Sequence, residues 1–404
     1  MLSIFFRKKI RNFIEKIIPL KIKFNNPKSK KIDKAIFVFG ITDFFYRKQR
    51  WQFLSENFSK KIPVFYIDSN FYPKSRLKKN IFYHIYYEKN DLNIVKLSSD
   101  KNYFIYQEEP NIKGKNQIYE SLINLINDYY IKKFKFIITH PFWHFLIDFF
   151  NKNIFIYDCL DDHEIFKENK KDINILEKKI INNSNCVVVT SKLLKEKIKK
   201  INKEKKIYLI NNGVSNEFIH LGKDFLMKNQ KNNNKKNKKI IGYIGEINWW
   251  FDEKKLEECL IYFKNKNILF YLAGRVNNQK INFLAKKYHN LKLFGEISHE
   301  KISDLLKTFD AGIIPFKINK FTNSINPVKI FEYFAFGLPV ITSKLKELEK
   351  YKKYVYFYDE KNILEKINNA LNEDNYQLKY KRNNIASLNK WEFLSNKYLK
   401  LIKF

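Results

Sequence analysis

Two charged side chains three residues apart, Lys329 and Glu332, stand in the otherwise apolar and aromatic stretch PVKIFEYFAFGLPVIT (327–342). Upstream, DAGIIPF (310–316) has the composition of a buried strand, and a polar loop follows it. Asn326 suits a helix N-cap, Pro327 the first helical position and Gly337 the stop before Pro339, so the spacing predicts a helix from Pro327 to Phe336. Its free N–H groups and positive dipole end offer an anion site. Lys329 falls in the first turn, where the dipole disfavours a cation by on the order of 0.3 kcal/mol or more, so a charge kept there points to a ligand. The plainer alternative is a local Lys329–Glu332 ion pair worth under about 0.5 kcal/mol.

A second cluster, Asp158, Asp161, Asp162 and His163, directly follows the strand-like NIFIY (153–157). Carboxylates gathered at a strand end orient hydroxyls or take a proton from one; a helix N-cap plus solvated acids is the alternative for Asp161 and Asp162. His140, ahead of Pro141, reads as a structural turn histidine. Arg47, Arg50 and Trp51 open a helix beside the loop GITDFF (40–45) and either hold an anion such as a lipid phosphate or form a solvated helix start. Asn212–Gly213 reads most simply as a tight turn, with lining of the cleft as the alternative. Trp249 and Trp250 stack on a base or sugar, or close a turn.

These residues need a scaffold, and the chain supplies one by alternation. Strand-like runs at 35–39, 63–67, 134–138, 153–157, 186–190 and 206–210 are spaced by helical patterns around 46–59, 117–131, 173–183 and 191–200. After the polar run KNQKNNNKKNKK (228–239) the alternation resumes, with strands at 239–244, 267–272, 291–294, 311–316, 338–342 and 354–358 and helices at 253–263, 279–288, 299–307 and 327–336. Strands separated by helix-length segments argue for parallel sheets with helices on both faces. The expected division is an amphipathic segment 1–30, a first doubly wound domain 31–225, a polar linker 226–239, a second domain 240–384, and a terminal helix 385–404 that packs back across the boundary. Ligands of such sheets bind at the carboxyl ends of the strands, and the default site is a cleft between the domains.

The stretch PVKIFEYFAFGLPVIT resembles the signature of group 1 glycosyltransferases, above all the polysaccharide- and teichuronic-acid-type members with a Pro-x-Lys-x-x-Glu-Tyr core. IIGYIGEINWWFD (240–252), FYLAGR (270–275), LKLFGEISHEKISDLLKTFDAGIIPF (291–316), CVVVTSKLLKEKI (186–198), LINNGVSNEF (209–218) and IYDCLDDHEIF (156–166) follow the same order. The resemblance spans roughly 150–345 well and 35–70 loosely. It implies an α/β, GT-B fold of two doubly wound Rossmann-like domains facing a central cleft, and transfer of a sugar from a nucleotide-diphosphate donor to a surface glycan or lipid-linked acceptor. It further implies that Glu332 binds the donor's ribose hydroxyls, that Gly245 lets the backbone approach the donor phosphates, and that Lys329 and Arg275 neutralise the departing diphosphate, where charge grows in the transition state. Asn326 and Ser324 join the substrate-binding set, and Asp161, Asp162 and His163 the catalytic one, taking the acceptor's proton if the reaction inverts. No metal and no cofactor beyond the nucleotide-sugar co-substrate is expected. Two departures stand out: Ser324 occupies a position where many members carry a second Glu, and Glu246–Asp252 replaces the usual Arg and Lys. They keep open a catalytically inactive binding or scaffold protein of the same fold.

Composition narrows the partners. The 404 residues carry a formal net charge of +35, with 70 Lys against 7 Arg and 48 Asn. Lys, Asn, Ile, Phe and Tyr share AT-rich codons, so much of this charge reflects codon bias; it suits an anionic membrane surface better than a specific nucleic acid, although a basic nucleic-acid binder is the third reading. Cys159, Cys186 and Cys259 lie far apart outside any CxxC spacing, as expected in a reducing cytoplasm. No run reaches the roughly 18–20 apolar residues of a membrane span. The first residues place Phe6, Ile10, Phe13, Ile14, Ile17 and Ile18 on one side and Arg7, Lys8, Arg11 and Lys16 on the rest. That is the pattern of a helix in a membrane interface or of one docked on its own domain. The expected location is therefore cytoplasmic, peripheral on the inner face of the cell membrane.

Overall fold

The computed structural model describes residues 31–46, 48–73, 82–103, 105, 108–150, 154–166, 172–229, 237–373 and 375–404. The amphipathic segment 1–30, Arg47 and most of the polar run lie outside the described residues. Contacts divide the chain into two units, one built from residues up to 47, 58–155 and 404, the other from 48–57 and 156–403.

The first unit is organised by six strands: β1 (Lys34–Phe39), β2 (Val64–Ile67), β3 (Tyr72–Pro73), β4 (Tyr83–Lys89), β5 (Leu92–Ser99) and β6 (Lys133–Ile138). Their order is β3-β5-β2-β1-β6, parallel throughout, with β4 added antiparallel on β5. β1 is central, and all its residues after Lys34 are buried, the continuous apolar run that a strand covered on both faces requires. Phe37 packs against Phe65, Phe134 and Phe136 with ring centroids 5.1–5.9 Å apart. The helix Ile112–Asp128 starts where the Asn111 side chain accepts the Gly114 amide proton at 2.8 Å, and it buries Ile118, Leu122 and Leu125. The β4–β5 hairpin was not anticipated. It turns on Asn90 and Asp91, both with positive φ (49° and 60°), the conformation of a two-residue turn whose twist matches its strands.

The second unit holds three parallel strands, β7 (Phe155–Cys159), β8 (Cys186–Val189) and β9 (Ile207–Leu209), and then a six-stranded parallel sheet. The latter comprises β10 (Lys239–Ile244), β11 (Ile268–Ala273), β12 (Leu291–Gly295), β13 (Ala311–Ile314), β14 (Val340–Ser343) and β15 (Val355–Tyr358), in the order β12-β11-β10-β13-β14-β15. Strand order reverses between β10 and β13, so the sheet's ligand crevice lies beyond the carboxyl ends of those two strands.

The expected linker over 226–239 is corrected at its start. The helix Asn216–Asn229 runs through 226–229 because Leu226 is buried, and Phe225 and Phe218 meet Phe336. That packing also places residues 216–229 in the unit that contains 240–403, so the contact boundary falls at 155/156 and not near 226. The chain end forms two helices, Tyr376–Ser387 and Trp391–Leu399, where one was expected over 385–404. Trp391 stacks on Phe53 (5.6 Å, 10°) and Tyr398 meets Trp51 (6.2 Å), both on the helix Arg50–Phe58.

Gly222 marks the closest helix contact: a Cβ there would lie 1.9 Å from the Ala335 carbonyl oxygen. Gly222→Ala gains about 1 kcal/mol of helix propensity but drives a methyl into backbone that cannot yield, an overpacking cost of about 1–3 kcal/mol. A lower urea midpoint of the full chain is expected, and a raised one would show that the two helices do not approach as described.

Candidate functional site

The helix that carries Lys329 and Glu332 begins at Lys329 and ends at Ala335, two residues later at its start than expected. Asn326 is not its N-cap. The buried Asn326 side chain instead accepts the Asn212 amide proton through Oδ1 (2.9 Å), while its carbonyl accepts from Asn212 Nδ2 (2.8 Å). The helix is fixed against the sheet by Tyr333, whose hydroxyl oxygen accepts the Ile244 amide proton at 3.0 Å.

This docking sets Lys329 directly over the end of β10. A Cβ built on Gly245, whose φ is +149°, would lie 2.3 Å from Lys329 Cε and 2.9 Å from Nζ. Only a residue without a side chain leaves the ammonium there and tolerates that backbone angle. The loop after β11 runs alongside. Gly274 (φ +138°) presses on the Gly245 carbonyl, Ile247 N–H donates to the Arg275 carbonyl (2.8 Å), and Asn277 Nδ2 donates to Glu246 Oε1 (2.6 Å). Gly245, Arg275, Lys329 and Glu332 are thus brought to the crevice that the strand order predicts. Among the described residues, Lys329 and Glu332 form no salt bridge with each other, and neither these two nor the Arg275 guanidinium makes a side-chain hydrogen bond. The local ion pair weighed from sequence is therefore not formed. Burial raises the Glu332 carboxyl above its usual range, with the Lys329 charge opposing it.

Ser324 is buried on the short helix Lys320–Ser324, where its hydroxyl donates to the Phe321 carbonyl at 2.7 Å. It closes its own helix and does not present that proton to the crevice. Glu246 and Asp252, which replace family cations, hold the loop: Asp252 caps the helix Glu253–Tyr262 by accepting from Lys255 N at 3.1 Å. Trp249 is 43% exposed and its ring lies 5.0 Å from Phe321 and 5.5 Å from Trp250.

The acids after β7 divide sharply. Asp162 is buried and committed, its Oδ1 accepting from Lys197 Nζ at 2.7 Å and its Oδ2 lying 3.3 Å from Lys320 Nζ. Burial alone would raise its carboxyl; the two lysines outweigh that and hold it low. Lys197 also donates to Glu177 at 2.8 Å, and Glu177 accepts from the Tyr157 hydroxyl at 2.8 Å, so this cluster is loop architecture. His163 is buried in the turn beneath, and burial lowers its imidazole. Asp161 differs. Its carboxylate makes no hydrogen bond or ion pair among the described residues, and burial together with the Asp162 charge pushes it up to about 6.

Asp158 and Arg50 form the network behind these loops. Arg50, 3% exposed, donates through Nε and Nη2 to Asp158 Oδ2 (3.3 and 3.1 Å) and through Nη1 to the Asn211 carbonyl (3.0 Å) and Asn212 Oδ1 (3.4 Å). Arg50 is thus a buried structural cation, neither a solvated helix start nor an exposed anion clamp. His140 caps its own turn, with Nδ1 accepting the Phe142 amide proton. Tyr333, Lys197 and Asn212 carry no local mark of their organising roles, because their partners Ile244, Asp162 and Asn326 lie far away in the chain. Among the described residues no group of three His, Cys, Asp or Glu side chains gathers as a metal site, the three buried cysteines form no disulfide, and no helix is long and apolar enough to cross a membrane.

Residues 225–386 match the family described as glycosyl transferases group 1. A Bacillus subtilis (strain 168) protein named as a teichuronic acid biosynthesis glycosyltransferase, TuaH, is 24% identical over 286 residues, covering 65% of this chain and 70% of that protein. Among solved structures, sucrose-phosphate synthase from Thermosynechococcus elongatus matches with a TM-score of 0.66 at 15% identity, covering 91% of this chain and 98% of that one. HepE of Anabaena, in complex with UDP and glucose, matches with a TM-score of 0.61 at 12% identity over the same shares. The fold is α/β and GT-B, with Rossmann-like domains.

Asp161 gives a test of the site's electrostatics. Its folded-state pKa of about 6 lies above the ordinary 3.8, so the stability it contributes is full below about pH 4 and is lost as pH rises through 6. Asp161→Asn should therefore gain about 1–3 kcal/mol relative to wild type between pH 4 and pH 7.5 in urea unfolding. A difference that does not change with pH would show an ordinary solvated acid.

Proposed function

We propose that this chain, a glycosyltransferase with a group 1 domain over residues 225–386, seats its nucleotide-sugar donor on Gly245, Arg275, Lys329 and Glu332 and passes the sugar to a hydroxyl of a glycan or lipid-linked acceptor. The observation that carries this reading is the Lys329 ammonium lying over the Gly245 backbone, with Glu332 one turn on and neither side chain spent on the other.

In this reading Glu332 accepts hydrogen bonds from the two ribose hydroxyls, which a carboxylate with two free oxygens does well. Gly245 admits the diphosphate to within reach of Lys329 and Arg275. As the bond from the sugar's anomeric carbon to the diphosphate oxygen breaks, its electron pair leaves on the diphosphate. Fixed cations then stabilise the transition state more than the ground state. The same two cations take the role a resident metal would otherwise fill, so we propose metal-independent transfer with no cofactor beyond the co-substrate. A new bond forms to the acceptor oxygen, and Asp161 is the carboxylate of the β7 loop left to orient that hydroxyl or receive its proton. Asp162 and His163 support the loop.

The net charge of +35 suits an acceptor held at an anionic surface, and we assign the enzyme to the cytoplasm, peripheral on the inner face of the cell membrane. TuaH, named for teichuronic acid biosynthesis, supports a cell-envelope polysaccharide as the product class.

Calorimetry separates the two halves of the donor site. Glu332→Ala should weaken UDP or GDP, and the corresponding nucleoside, at least tenfold. Lys329→Ala should weaken the diphosphate by a similar factor while leaving the nucleoside alone. Unchanged affinity in both variants would falsify the site.

A further inference from the structure

A parallel sheet has two ends, and the transfer chemistry uses the carboxyl one. At the amino end of the first unit's sheet, the chain enters β1, β2 and β6 through residues 31–34, 60–63 and 130–133. These short segments hold Lys31, Lys34, Lys60, Lys61, Lys132 and Lys133 against one acid, Asp33, and all of those lysines are exposed. Two further acids at this end, Asp91 and Asp128, are half-buried, and Asp128 accepts the Tyr83 hydroxyl at 2.6 Å. Lys34 and Lys133 are register partners on adjacent parallel strands, so their side chains leave the same face next to each other. Like charges so placed repel, and an external anion offsets that cost. Lys31 and Lys34 hold their ammonium groups over the rings of Tyr130 and Phe404, each 5.9 Å from the centroid; among the described residues neither they nor Lys132 and Lys133 form a salt bridge.

Lys31, Lys34 and Lys61 line a hollow of about 290 Å³ together with Ile32, Asp33, Ile62 and Pro63. Ammonium groups donate hydrogen bonds and accept none, so the hollow suits a group that brings acceptor oxygens and negative charge. Its apolar walls suit carbon attached to that group, and a phospholipid head group offers both. Tyr130, at the same end, is 59% exposed and has a φ of +52°, a conformation that residues other than glycine rarely adopt. The turn thus spends backbone freedom to keep a phenol at the surface. At a bilayer, such a ring and hydroxyl match the boundary between acyl chains and head groups.

Nucleic acid also presents phosphates, and the chain ahead of Lys31 favours lipid over it. Residues 1–30, outside the described residues, run directly into this face. They combine Arg7, Lys8, Arg11 and Lys16 with Phe6, Ile10, Phe13, Ile14, Ile17 and Ile18 at helical spacing. An apolar stripe of that kind finds acyl chains in a bilayer and nothing to bury against on a phosphate backbone.

We infer that the amino-end face of the first sheet, built from Lys31, Lys34, Lys61, Lys132, Lys133 and Tyr130, docks on an anionic lipid bilayer. This rests on the peripheral-membrane reading and gives it a surface. The full chain should co-sediment with phosphatidylcholine vesicles that contain phosphatidylglycerol, and not with phosphatidylcholine alone, in about 0.15 M salt. Combining Lys34→Gln, Lys61→Gln and Lys133→Gln should weaken that binding about tenfold or more. A control that removes the same charge from exposed positions elsewhere, Lys254→Gln with Lys264→Gln and Lys286→Gln, should weaken it less than about twofold. Tyr130→Ala, which leaves the charge intact, should also weaken it. Equal losses in the two triple variants would show that net charge alone matters and would overturn the inference, as would binding untouched by the first of them. In that last case the peripheral reading survives through another surface, whereas no binding to the anionic vesicles defeats both. Tighter binding to polyuridylate than to vesicles, lost in the same triple variant, would make the face a nucleic-acid site instead. UDP and GDP calorimetry on the same sample reports the donor site independently of every vesicle result.

Discussion

One hydrogen bond governs where the second unit can bind anything. β10 pairs with β13 only through Ile241 and Gly242, and Gly245 N–H points the other way, donating to Ala273 on β11. Ile244 N–H is therefore turned toward β13 with no strand partner, and a buried amide left in that state costs about 1–3 kcal/mol. The Tyr333 hydroxyl fills the vacancy at 3.0 Å. Its ring reaches that position because β13 carries Gly312 beneath it, where a Cβ would lie 2.6 Å from the aromatic carbons. The donor of this bond is backbone, so the helix Lys329–Ala335 has a single seat, and Lys329 and Glu332 inherit their places from Tyr333.

The entry to that helix is fixed by a longer chain of polar contacts. Asp158 holds Arg50, Arg50 holds Asn211 and Asn212, and Asn212 holds Asn326. Burying Arg50 and Asp158 is expensive unless each finds partners, and the chain of contacts supplies them. The cost secures a register: the segment 324–328 enters the helix with Asn326 turned to Asn212, so its first turn is reached without a side-chain cap.

Much of this scaffold was legible in the sequence, because its signals are local. Continuous apolar runs such as KIIGYI and CVVV sit where β10 and β8 form, and the helices Ile173–Asn183 and Glu253–Tyr262 lie within a residue of their expected spans. Lys329 lies over Gly245, and the Arg275 backbone pairs with Ile247 in the loop that follows it. What was not legible depends on distant partners. Asn326 looks like an N-cap until Asn212, 114 residues earlier, takes its oxygen. The helix Asn216–Asn229 runs straight into the polar stretch, and what fixes it is distant: Gly222 admits the Ala335 backbone, and Phe218 and Phe225 meet Phe336. The β4–β5 hairpin was hidden by its Asn-Asp turn, which lacks the glycine that usually announces such a reversal.

Asp161 and Asp162 show the same limit at the scale of one peptide bond. Side by side in sequence they carry one chemistry, and nothing local separates them. Lys197, on the helix Lys192–Ile201, reaches Asp162 and Glu177 together, so its charge is consumed by two acids and Asp162 is held ionised as part of the loop. The ammonium that lowers Asp162 leaves Asp161 with no cation of its own, and burial, then the Asp162 charge, pushes its carboxyl up to about 6. One lysine thereby turns an adjacent pair into a strut and an acid that has no ion pair among the described residues.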